Sequence, residues 1–91
     1  MIAYIKQILR IASNEFDAEI QELIDSAKAD LKLSGVRVEL IIDSDTLIKR
    51  AVATYCKMHF GFDNKDHLLL LAAYNSLKTH LIVSTDYGKM D

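Results

Sequence analysis

Few residues in this chain have side chains that ligate a metal or attack a substrate: Cys56, His59, His67 and His80 are the only soft ligands. Cys56 and His59 are spaced to share one face of a helix. The intervals onward to His67 and His80 match no common zinc arrangement. Drawn instead as a nucleophile and its base, Cys56 and His59 share one helix, and no third group is indicated to orient the imidazole. They read as a buried thiol and polar-tipped surface histidines. The acidic pairs Asp43 with Asp45 and Asp63 with Asp66 precede helical stretches, where caps and first-turn charges belong. They lack the surrounding pattern of a general acid and base or of a calcium loop. Three scattered glycines, Gly35, Gly61 and Gly88, all fall at expected turns and form no phosphate-binding loop. The expectation is no catalytic residue, no metal and no cofactor.

One basic cluster remains. Lys49, Arg50 and Lys57 fall on the exposed side of the expected third helix, a candidate DNA-contact face. Asp43, Asp45 and Asp63 flank it, and the net charge is −2, so the chain lacks the concentrated positive charge that phosphate binding requires. A solvated surface is the favoured reading of these three, with a small nucleic-acid-binding or regulatory helical module as the alternative function.

The elements that would position these residues are mostly helical. The stretch Leu9 to Gly35 organises the rest: Phe16, Ile20, Leu23, Ile24, Ala27 and Leu31 recur as one face of an α-helix. Ser13 or Asn14 is the expected cap, Glu15, Asp17 and Glu19 suit the positive end of the dipole, and Gly35 is the stop. Ahead of it, Ile2 to Ile11 predicts a short helix docked through Ile5, Ile8 and Leu9. After it, Val36, Val38, Leu40 and Ile42 alternate with other residues and predict an extended segment, either a strand needing a partner or a loop laid over the core. Asp43, Ser44 or Asp45 caps a third helix with Leu47, Ile48, Ala51, Val52, Tyr55 and Met58 inward and Gly61 at its end. Asp63 or Asn64 caps the last.

That last helix has more apolar surface than one face uses. Leu70, Ala73, Tyr74, Leu77 and Leu81 make the inward stripe, while Leu68, Leu69, Leu71 and Ala72 make its first half apolar on a second side. In a short chain a second apolar side implies something packed against it, and another subunit is the expected occupant. The tail, Ile82 to Asp91, reads as a terminal arm with Tyr87 and Met90 as anchor points. The expected fold class is therefore mainly all-α: a bundle of about four helices with one short extended segment between the second and third. With 91 residues, half of them apolar, residues 1–91 are read as one domain, with a C-terminal arm over about 83–91. A lone cysteine fits a reducing compartment. No apolar run reaches the length of a membrane span, and the start of the chain, broken by Lys6 and Arg10, carries no signal-peptide core. The reading is a soluble intracellular protein.

The order Lys6, Leu9, Arg10, Ile11, then Asp17, Ile20, Leu23, Ile24, Ala27, Leu31 and Gly35 resembles the opening pattern of the phage head-tail connector family, also labelled DNA-packaging proteins. Tyr55 before Phe60 and Gly61, followed by Tyr74, Ser76, Leu77, Lys78 and Leu81, is similar to the short Gram-positive phage and prophage members. The resemblance runs from about Ile5 to Tyr87. It implies a structural virion protein, an adaptor that oligomerises into a ring of about twelve subunits below the portal protein. Such a ring extends the DNA channel and docks a tail-completion protein. The implied location is the head-tail junction at the capsid vertex, reached from the host cytoplasm during assembly. No catalytic residues come with the resemblance. This chain departs from longer members in its brief tail and in Val36 to Ile42.

A ring needs two different patches per subunit. Leu68, Leu69, Leu71 and Ala72 are the candidates for one. Tyr4 and Ile8 of the first helix, or Val38 and Leu40 of the extended segment, are the candidates for the other. DNA would pass without specific binding, which suits a mildly acidic chain.

Overall fold

The computed structural model describes residues 1–60 and 65–84. Four helices run in chain order: α1 (Ile2–Leu9), α2 (Asp17–Ser34), α3 (Thr46–His59) and α4 (His67–Val83), with a 3-10 turn at Val38–Leu40 between α2 and α3. Among the described residues there is no strand, and the architecture is a small all-α bundle. Gly61, Asp63 and Asn64, expected as a stop and as caps, lie outside the described residues, as do Tyr87 and Met90.

α2 follows its apolar spacing. Ile20, Ile24, Ala27 and Leu31 are fully buried, Leu23 is half-buried, and Glu19, Glu22 and Asp25 face water. Its start differs from the expected polar cap. The helix begins at Asp17 behind Phe16, and no side chain caps it. Asn14 is engaged elsewhere, because its Oδ1 accepts from Lys6 Nζ at 2.8 Å, and the same ammonium pairs with Asp17 at 2.9 Å. Phe16, expected inward, remains 41% exposed, and its ring meets Phe60 edge-on at 5.6 Å. An aromatic contact thus holds the chain's entry into α2. At the other end Gly35 adopts φ 115°, and the N–H of Val36 reaches back to the Leu31 carbonyl at 3.0 Å. Leu31 and Val36 are both buried there, the apolar clasp that accompanies such an ending.

α1 stops two residues short of the expected Ile11. Arg10 turns left-handed at φ 59°, and the next N–H bonds back to the Lys6 carbonyl at 2.9 Å. Ile5 is its one fully buried residue.

The extended segment expected over Val36 to Ile42 is extended only at its start. Val36 is buried, but Leu40 and Ile41 donate back to the carbonyls of Arg37 and Val38 at 3.0 and 3.1 Å, closing a 3-10 turn. Leu40 and Ile41 thus satisfy their N–H groups within the turn, while Val36 makes an isolated β-bridge. The turn also breaks the alternation: Leu40 and Ile41 are half-buried, while Val38 and Ile42 are 56% and 48% exposed.

Of the three caps offered for α3, the structure uses Asp45. Asp45 Oδ1 accepts from the N–H groups of Leu47 and Ile48 at 2.9 and 3.1 Å. Six of its residues lie in the core, namely Ile48, Ala51, Val52, Ala53, Cys56 and Met58. α3 packs on α4 and α2 most extensively and also on α1, so the core is organised around α3 as much as around α2. Leu47, expected inward, is 41% exposed at the first turn. In α4 only Tyr74 and Leu81 are buried. Leu70 and Leu77 are half-buried, and Ala73 of the expected inward stripe is exposed. Ile82 and Val83, read from sequence as the start of the arm, continue α4.

Candidate assembly surface

The inward side of α4 is fixed by a polar clasp. The Tyr74 hydroxyl donates to Asp30 Oδ2 at 2.5 Å, and Lys78, one turn on, places its ammonium 3.1 Å from the same oxygen. Burial acts to raise the Asp30 pKa, but the hydrogen bonds from Tyr74 and Lys78, followed by the charges of Lys78 and His59, outweigh it and hold the carboxyl below its usual value. The Tyr74 phenol is pushed up, first by burial and then by its bond to the carboxylate. The Tyr55 ring meets Tyr74 at 5.4 Å and His59 at 4.4 Å. Lys78 also lies over the Tyr74 ring at 5.1 Å. With Asp30 on α2 and its partners on α4, this contact fixes the rotation of α4 about its axis.

That rotation decides what α4 shows to solvent. Leu68 and Leu69 are 77% and 72% exposed and Leu71 37%. Ala72, Asn75, Ser76, Thr79 and Val83 continue the outward side. No Asp, Glu, Lys or Arg occurs among the exposed residues of α4, and its histidines lie at the margins of the face. An uncharged outward face four turns long is what the centre of a protein interface has, because ions there must be stripped of water. A solvated helix ordinarily carries charge on that side.

The remaining sequence candidates fall in different places. Tyr4 is half-buried, with Lys49 Nζ 4.3 Å above its ring. Ile8 is 36% exposed. It lines an open cleft of about 350 Å³ with Leu9, Arg10, Lys57, Asp66 and Leu70. Val38 is exposed and Leu40 half-buried in the 3-10 turn. The three basic residues of α3 are not gathered into one patch. Lys49 is turned onto Tyr4, whereas Arg50 and Lys57 are exposed about two turns apart.

Cys56 is buried, and burial pushes its thiol up to about 12. Its helix neighbour His59 stacks on Tyr55, and the His59 and His67 rings meet at 6.1 Å. His67 Nδ1 lies 3.3 Å from the Met58 carbonyl, within reach to donate to it in the Nδ1–H form. Among the described residues no cluster of three His, Cys, Asp or Glu side chains is placed to hold a metal ion. No described helix is long and apolar enough to cross a membrane.

The sequence pattern of the family of phage connector proteins matches residues 1–88. The chain belongs to the phage connector family. Membership gives this connector a structural role in the phage particle and implies assembly with other virion proteins. No curated protein matches the connector, and no solved structure does.

Two features of the connector's surface escaped sequence reasoning. Asp30 carries no signal in the apolar spacing, and Lys78 enters the sequence reading only through the family resemblance, not as a partner of Asp30. The length of the uncharged face was also missed, although no Asp, Glu, Lys or Arg occurs between Asp66 and Lys78.

Proposed function

We propose that this connector is a head-tail adaptor subunit. It assembles head-to-tail into a ring of about twelve copies beneath the portal, extends the DNA channel during packaging and head completion, and docks a tail-completion protein at the capsid vertex. The observation that carries this reading is the uncharged outward face of α4, with Leu68, Leu69, Leu71 and Ala72 at its N-terminal half. Monomeric proteins seldom leave so long a face without charge. Tyr4, Ile8, Val38 and Leu40 are the candidates for the facing patch. Residues 1–91 act as one connector domain, with the last residues as a short arm.

The test is solution mass by light scattering across concentration and salt. The expected result is a discrete assembly of about a dozen subunits, formed either by the chain alone or on portal-bearing heads. A DNA-binding module predicts instead a complex with duplex DNA that weakens steeply with salt and depends on Lys49, Arg50 and Lys57. Strong binding of that kind by a chain that never assembles would replace the adaptor reading.

A further inference from the structure

We draw no further inference here: the strongest candidate, the small apolar pocket that Leu47 of α3 and Leu77 and Leu81 of α4 wall on the inward side of α4, has room for one side chain, and nothing in the structure shows what occupies it.

Discussion

α2 and α4 are nearly the same length, 18 and 17 residues, and they treat water in opposite ways. α2 buries Ile20, Ile24, Ala27 and Leu31 in one stripe and covers the other side with Glu19, Glu22, Asp25 and Lys32. α4 is the more apolar of the two, yet it buries only Tyr74 and Leu81 and holds its outward leucines in solvent. Apolar content therefore does not rank the helices by their part in the core. What separates them is where charge is placed. α2 turns a charged side to water, whereas α4 turns an uncharged one.

The largest expected effect lies on the α2 side of that contrast. Leu31→Ala leaves a hole among fully buried neighbours, and chemical denaturation should show a loss of about 3 kcal/mol. Leu69→Ala on α4 removes as many atoms and should change stability by less than about 0.5 kcal/mol, because they are already exposed. Similar costs at the two positions would mean that α4 is not an outward helix.

The clasp joining the two helices comes next. Tyr74→Phe should cost about 1 kcal/mol, since it leaves Asp30 with Lys78 alone. Asp30 carries a lowered carboxyl pKa. Its contribution is therefore complete above the unfolded value near 3.8, and is lost as pH falls through the still lower folded value. Wild type should lose more stability between pH 5 and 2 than Asp30→Asn, with the difference visible in urea midpoints against pH.

A helix end gives a comparable effect. Gly35→Ala should lower stability by about 1 kcal/mol, because alanine is strained at φ 115°. The nearest atom to the added Cβ is Ile82 Cγ2 at 3.8 Å, an ordinary contact, so the cost is one of backbone conformation and not of packing. The smallest effect on stability sharpens the contrast most. Ser76→Lys on the outward side of α4 and Glu22→Lys on that of α2 should both leave the melt unchanged within about 0.5 kcal/mol. Only Ser76→Lys should abolish assembly as read by light scattering.

Much of the fold was legible because it rests on local rules. The spacing of Ile20, Ile24, Ala27 and Leu31 and the Gly35 stop follow from a few neighbouring residues and appear as read, and of the three caps offered for α3 the structure uses Asp45. The misreadings involve competition between distant groups. Asn14 was free to cap α2 only until Lys6, eight residues earlier, claimed its oxygen. Val36 to Ile42 had the alternation of a strand, but only Val36 pairs, in an isolated bridge, and Val38 to Leu40 close a 3-10 turn. The outward leucines of α4 were visible as an excess of apolar residues. Which rotation of the helix would expose them depended on Asp30, forty-four residues before Tyr74 in the chain.

Cys56 bears on how such a particle survives outside its host. Burial pushes the thiol up to about 12, which keeps it in the unreactive protonated form at pH 7. A phage particle meets air and trace metals once it leaves a reducing cell, where exposed thiolates are oxidised or cross-linked. Buried in the core among the helices, this sulfur contributes packing and is shielded from that chemistry.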